Sequence, residues 1–421
     1  MLNDLFRGGA AWRCRPLQQS PFRRELEEFS GWLKAAHYTT VIRRGHLFRL
    51  DRTLRRMRGA ATGATYTARE LLTAFSKHRR PASRLINYRG TLHAYQRFLR
   101  SRGRLQDETD DWRFAGLCRR YERHLVEVRG FARSTLAHHR TTIADFLERG
   151  LRHHQQLRTI NGTDVERFVG VRSTEMTRQS LQHTVAALRA FLRWCHDFGE
   201  TSARLDIIDT PRTYRGELPP KALAWPAVQA LLRSIDRDSA SGERDYAILH
   251  LMAHYGLRPS EIALLRLDSI DWVSNTLKVE QRKTQSDLLL PLAPVTVKAL
   301  RRYLRRDRNR RQDVGNQTVL FLRERCPICP LKNTGVYEIF AKRLKESGED
   351  PARYSTYSLR HAFAMRLLSR GVGIKAIGDV LGHRDLESTC VYLRLDIAAL
   401  RDVALEVPGA SGVNRGGLCH A

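Results

Sequence analysis

The segment IIDTPRTYRGELPP (207–220) constrains the fold more than any other stretch. Its three prolines in fourteen residues leave no room for a helix or a paired strand. It cuts a chain of 421 residues, too long for a single core, into two parts. Ahead of it, residues 113–202 carry helical periodicity throughout. In WRFAGLCRRYERHLVEVRG the apolar side chains fall at 114, 117, 118, 121 and 125, a stripe along one helix face. Ser134 is expected to cap a second helix, STLAHHRTTIADFLERGL. Thr163 with Glu166 resembles a capping box ahead of VERFV, and TVAALRAFLRWCHDFG closes at Gly199.

Residues 22–103 repeat this pattern loosely. Phe29 and Leu33 correspond to Tyr121 and Leu125 at an offset of 92, and Leu92, Tyr95, Phe98 and Leu99 to Val185, Leu188, Phe191 and Leu192 at an offset of 93. A tandem pair of small helical domains is the expectation; the alternative is that any two amphipathic helices align this way. Beyond the linker, helices are expected at 224–235, in two pieces over 247–267 broken near Gly256, at VTVKALRRYLRR, and at 333–346, 358–370, 374–381 and 386–402. TLKVEQ (276–281) and DLLLPL (287–292) read as strands around the turn RKTQS, and TVLFL as a further short strand. The fold class is therefore mainly α with a small antiparallel β-sheet in the C-terminal domain.

Charge narrows the partner. Lys and Arg number 73 against 44 Asp and Glu, a formal net charge of +29. Such self-repulsion is relieved by a polyanion, and nucleic acid is the first candidate. Of the 73 bases 63 are Arg, whose planar fork binds phosphate bidentately; a GC-rich genome would produce the same bias. No run of 18 apolar residues occurs, so no membrane span and no membrane partner is expected. The N-terminus lacks an apolar stretch of signal-peptide length. Seven scattered cysteines suit a reducing compartment, so the expected location is cytoplasmic. CPIC (326–329) has no second ligand pair at zinc-finger distance. The pairs His138–His139 and His153–His154 read as exposed or solvated rather than as ligands, and no GxxxxGK[ST] is present. No metal and no cofactor is expected.

Four stretches and their spacing carry the chemistry: GLRPSEIALLRL (256–267), RKTQSDLLLPL (282–292), YSLRHAFAMRLL (357–368) and VLGHRDLESTCVYLR (380–394). The LGH histidine lies 22 residues after the histidine of LRHAFA, and a tyrosine follows nine residues later. Together with the helical pattern of 113–202, these resemble the tyrosine recombinase (phage integrase) family over about two-thirds of the chain. The resemblance implies a multi-domain DNA clamp of helical core-binding domains plus an integrase-like catalytic domain. Tyr392 would be the nucleophile, forming a 3′-phosphotyrosyl bond without ATP or metal. Arg258 and Arg360 would grip the non-bridging oxygens and stabilise the phosphorane. Lys283 would protonate the leaving 5′-oxygen. His383 would hydrogen-bond the phosphate beside the nucleophile, and Glu261, one turn from Arg258, would orient catalytic side chains.

The chain departs from the family at one point. A His usually stands three residues before the second Arg, where this chain has Tyr357. A phenol of ordinary pKa about 10 is a poor base near neutrality. Proton removal from Tyr392 then falls to Tyr357 more weakly, to water, or to His361 if the backbone allows.

The expected domains are a basic leader (1–21), a helical N-terminal domain (22–105), a core-binding domain (110–205), a linker (206–222), a catalytic domain (223–406) and a tail (407–421). The expected partners are double-stranded DNA recombination sites and further copies of the chain, a dimer per site and a tetramer in the synapse, with related recombinases as an alternative to identical copies. The amphipathic segment LDIAALRDVALEV after Tyr392 would dock on a neighbouring protomer. A mobile-element integrase or transposase is the expected role. A type IB topoisomerase and a weakened recombinase acting as a DNA-binding regulator are the alternatives.

Overall fold

The computed structural model describes residues 5, 14–57, 59–76, 82–106, 112–152, 155–210, 221–281, 286–308, 318–324, 328–383, 385 and 387–393. Two compact units result: Met1–Asp51 with Leu218–Ala421, and Arg52–Glu217. The chain is mainly helical, as its periodicity implies.

Three helices open the chain: α1 (Arg15–Gln18), α2 (Arg23–Ala35) and α3 (Thr40–Leu54). The second unit follows with β1 (Tyr66–Thr67), α4 (Ala68–Ser76), α5 (Ala82–Ser101), β2 (Leu105–Gln106), α6 (Ala115–Glu127), α7 (Arg133–Asp145), α8 (Gly162–Glu175) and α9 (Arg178–Asp197). β1 and β2 form a two-residue parallel pair that the sequence reading did not anticipate. α9 buries Leu181, Val185, Leu188, Phe191, Leu192 and Cys195 at helical spacing. Against that face stand Tyr121 and Leu125 of α6, with Tyr121 edge-on to Phe191 at 5.2 Å between ring centroids. Gly199 takes φ +70 just past α9, as its stop signal requires. The residues paired at offsets of 92 and 93 are all buried, those of α2 and α5 as well as those of α6 and α9.

Two cap assignments are corrected. α7 begins at Arg133 after Ala132, so Ser134 lies within the helix and caps nothing. The box at α8 is formed by Asn161 and Asp164, whose side chains accept each other's backbone N–H, rather than by Thr163 and Glu166. Asn at the cap position competes as well as Thr does, and it stands two residues earlier. His139 is also not solvated: it is buried and pairs through Nδ1 with the Tyr121 hydroxyl at 3.1 Å. His153 and His154 lie outside the described residues. Most of the proline segment does too, while Leu205 just before it and Ile208 near its start pack into the helical core.

In the other unit the linker is followed by α10 (Trp225–Arg233), α11 (Gly242–Tyr255), α12 (Pro259–Leu264), β3 (Ile270–Asp271), β4 (Thr276–Gln281), β5 (Ser286–Pro291), α13 (Pro294–Tyr303), α14 (Asn333–Glu346), α15 (Tyr357–Leu368), α16 (Ile374–Leu381) and α17 (Glu387–Cys390). The sheet is antiparallel in the order β3-β4-β5, with Leu277 opposite Leu290 and Gln281 opposite Ser286. α11 is buried along most of its length, with Ala247, Ile248, Leu249, Leu251, Met252 and Ala253 all in the core, and so it forms the centre. TVLFL forms no strand. Val319 and Leu322 make only isolated bridges, to Arg266 and Pro330, because the segment threads between two loops rather than along a sheet edge. The helix expected over 386–402 is described only as far as α17 and the turn to Leu393, so the segment proposed to dock on a neighbour lies outside the described residues.

A buried ionic cluster ties α11 to α14. Asp245 accepts from Arg343 Nη2 at 2.6 Å and Nε at 2.9 Å, and from Arg244 Nη2 at 2.7 Å. All three side chains are under a tenth exposed. Replacing Asp245 with Ala leaves two guanidiniums buried with their shared carboxylate gone, and should cost about 3–5 kcal/mol of stability. Urea unfolding of the full chain measures this; a loss below about 1 kcal/mol would show that the pairs are already hydrated.

Candidate active site

The site begins where α11 stops. Gly256 ends the helix in the left-handed region, φ +64. A Cβ there would meet Leu381 Cδ2 at 2.7 Å and Phe363 Cδ1 at 2.8 Å, so both the turn and the packing require glycine. Pro259 then starts α12 at a position where its missing N–H is no loss. Arg258 sits between these two signals with extended backbone, φ −75 and ψ 152. Glu261, in the first turn of α12, accepts the Arg258 backbone N–H at 2.7 Å and Arg258 Nη1 at 2.6 Å. The carboxylate thus fixes both the backbone and the side chain of that arginine.

Arg360 projects from α15 and is 4% exposed. Its Nη1 donates to the Gly256 carbonyl at 2.7 Å and its Nη2 to the Leu381 carbonyl at 2.6 Å. These acceptors close α11 and α16, so the guanidinium bridges the negative ends of two helices. α16 ends at Gly382, again left-handed with φ +64. Burial, and next the charge of Arg258, depress the Arg360 pKa to about 10, so it stays protonated near neutrality.

His383 follows directly, and its Nδ1 pairs with Thr389 Oγ1 at 2.7 Å. Thr389 is fully buried, and its carbonyl accepts the Tyr392 backbone N–H at 3.0 Å. One threonine therefore orients the histidine and shapes the turn that carries the tyrosine. Gly378 makes room for it, since a Cβ there would lie 2.9 Å from Thr389 Oγ1. Burial, and then the charges of Arg360 and Arg258, hold the His383 imidazole neutral at a pKa of about 4.

Tyr392 is 2% exposed and packs with Ala364, Ile377 and Leu381. Its hydroxyl lies 3.0 Å from His361 Nδ1. Burial raises its pKa, against the pull of Arg360 and Arg258. Tyr357, at the start of α15, is 42% exposed; burial raises its pKa too, so it is a protonated phenol at neutral pH. Arg258, Arg360, Glu261, His383, Tyr357 and Tyr392 are thus gathered in one cluster whose members act on one another's ionisation. Lys283 lies outside the described residues.

Neither Thr389 nor Gln281 is among the site residues expected from the sequence. Gln281 is buried at the end of β4, its amide nitrogen 3.4 Å from the Leu381 carbonyl. The signal for it was present: along β4 residues 277, 279 and 281 share the inward face, and a glutamine there needs a partner. Among the described residues no group of His, Cys, Asp or Glu is arranged to hold a metal ion, and no helix is long and apolar enough to cross a membrane.

Gly382 is the most constrained glycine of the site. A Cβ would collide with the Gln281 side-chain amide, in a backbone conformation that costs an L-residue about 1–2 kcal/mol. Gly382→Ala should lower stability by at least that amount and shift the His383 imidazole, read by urea unfolding and by histidine NMR. An unchanged midpoint together with an unchanged spectrum would contradict this geometry.

The comparisons agree with this architecture. Residues 223–398 match the phage integrase family, and residues 118–197 match the phage integrase N-terminal SAM-like domain. A Sinorhizobium fredii protein named as an integrase/recombinase, y4rA, is 33% identical over 292 residues, 69% of this chain and 70% of its own. Another from that organism, y4gC, is 39% identical over 192 residues, 45% of this chain and 97% of its own. Among solved structures, the Tn1549 transposon integrase in complex with a circular intermediate DNA superposes with a TM-score of 0.53. It shares 16% identity over 68% of this chain and 99% of that one, a likeness of fold. The chain belongs to the phage integrase family of tyrosine recombinases.

Proposed function

We propose that the chain cuts and rejoins duplex DNA at specific sites through a 3′-phosphotyrosyl bond to Tyr392, exchanging strands by way of a Holliday junction, in the service of a mobile genetic element. The observation that carries this reading is the pair Arg258 and Arg360, each fixed by its own hydrogen bonds. A guanidinium has five N–H donors. Those that these bonds leave over would serve the non-bridging oxygens of a phosphodiester once the site opens to it, and would strengthen their hold as charge builds on the phosphorane. Glu261 keeps Arg258 in place. His383, with Nδ1 engaged by Thr389, offers Nε2 to the same phosphate. Lys283 protonates the departing 5′-oxygen.

Tyr392 needs a rearrangement before it can react, because a phenol only 2% exposed does not reach a DNA backbone. The short α17 and the turn after it are the parts that would move, opening the site while the hydroxyl stays beside α15. Duplex DNA is supported as the partner by the charge of +29. Phosphate contacts would make binding strongly salt-dependent. We assign 22–105 and 110–205 as two helical DNA-binding domains and 223–406 as the catalytic domain, acting as a clamp. Protomers would pair on each site and form a tetramer in the synapse, in the cytoplasm. The mobile-element role draws on the named transposon integrase and on the N-terminal region ahead of the matched domains.

The test is covalent trapping on nicked duplexes that release the cleaved strand. The parent chain should form an adduct stable to denaturant, and Tyr392→Phe should form none while binding DNA equally well. Arg258→Ala should slow adduct formation by about 100-fold or more. Binding with no adduct would leave a DNA-binding regulator, and relaxation of any supercoiled plasmid irrespective of sequence would point to a topoisomerase.

A further inference from the structure

We propose that His361 is the group that takes the proton from Tyr392, so that the base lies one helical turn along α15 from Tyr357. This rests on Tyr392 being the nucleophile and adds the identity of its base.

The geometry carries the assignment. His361 Nδ1 is 3.0 Å from the Tyr392 hydroxyl, within hydrogen-bond reach, and the two rings lie 5.6 Å apart between centroids. Residues 357 and 361 are four apart in one helix, hence on the same face one turn apart. The face is shared, but Tyr392 meets it at the 361 end. Tyr357 is a phenol with its proton in place, so it has no comparable basic lone pair to offer at neutral pH. A neutral imidazole protonated on Nε2 has one, on Nδ1.

The groups around His361 give it the right resting state. Arg360 adjoins it on α15, His383 comes from the end of α16, and Tyr392 from the turn after α17. Burial and then the positive charge of Arg360 lower the His361 pKa to about 4, so the ring rests neutral and ready to accept. A phosphate held by Arg258 and Arg360 brings negative charge that offsets this repulsion. The imidazole therefore becomes more basic when the substrate is in place. Proton uptake is disfavoured while the site is empty and eased when it is filled.

The step balances without a further reagent. The Tyr392 O–H bond breaks and its proton passes to His361 Nδ1. The electron pair left on the tyrosine oxygen forms the bond to phosphorus. The bond from phosphorus to the 5′-oxygen breaks, and that oxygen departs with its pair and takes a proton from Lys283 or water. On rejoining, the 5′-hydroxyl attacks phosphorus, its proton going back the same way. The bond from phosphorus to the tyrosine oxygen breaks, and that oxygen recovers its proton from His361.

His361→Asn tests the assignment, because its amide oxygen keeps an acceptor near the place of Nδ1 but does not take up a proton. Nicked duplexes with a randomised centre would first be selected for adducts with the parent chain. The best sequence would then be used in single-turnover cleavage across pH. The variant should bind with affinity within threefold of the parent, cleave about 100-fold or more slowly, and lose the acid limb of the pH–rate profile. A bridging 5′-phosphorothiolate, whose leaving group needs no protonation, should not rescue it. Tyr357→Phe should lose less than tenfold.

A reading without DNA accompanies these. Tyr392→Phe removes the hydroxyl that stabilises the neutral ring, and should raise the His361 pKa measured by NMR of histidine-labelled protein. Cleavage by His361→Asn within threefold of the parent, a larger loss in Tyr357→Phe, or an unmoved His361 pKa would each overturn the assignment while leaving Tyr392 as nucleophile. A parent chain that traps no member of the library would overturn both readings.

Discussion

One guanidinium, that of Arg360, joins the parts of the C-terminal unit that matter most. It lies between the carbonyls of Gly256 and Leu381, the last acceptors of two separate helices. Helix ends leave such carbonyls unpaired by the helix itself. Burying them together would be unfavourable without a donor, and burying the arginine would be unfavourable without acceptors. Each requirement answers the other. The same contact fixes how far α11, α15 and α16 stand from one another, and so where Arg258 and His383, the residues just beyond two of those helix ends, can be.

The electrostatics follow from that placement. Two guanidiniums in one cluster, with Glu261 as the carboxylate facing them among the described residues, disfavour further positive charge, and the imidazoles of His361 and His383 are both held neutral near a pKa of 4. The tyrosines are pushed the other way by burial and stay protonated. The cluster therefore carries fixed positive charge, neutral hydrogen-bonding rings and no mobile proton at rest. An anion is the ligand that this arrangement accommodates at least cost.

Much of this could be read from the chain because the signals were local. Gly256 and Pro259 bracket Arg258, so the break between α11 and α12 was visible in the sequence, and the inward alternation of β4 announced its hairpin. α16 was expected at 374–381 and occupies those residues. Where reading failed, two local signals competed or the partner was remote. Asn161 and Thr163 both cap well, and the earlier one won. TVLFL has the composition of a strand, but its neighbours Leu265, over fifty residues back, and Leu331, just ahead, both come from loops. The pairings of His139 with Tyr121 and of Gln281 with the Leu381 carbonyl span 18 and 100 residues, and no periodicity reports such meetings.

The apolar nest around Tyr392 bears on selectivity. Moving a ring of that size from such surroundings into water costs about 1.5–3 kcal/mol. At about 1.4 kcal/mol per factor of ten, that is roughly a tenfold to hundredfold handicap on any encounter that does not offset it. If this phenol is the reactive group, as proposed, contacts made elsewhere on a correct site would have to supply the difference. Chance collisions with the vast excess of other phosphodiesters in a cell would not, and fidelity would then begin with the resting position of one side chain before any base is read.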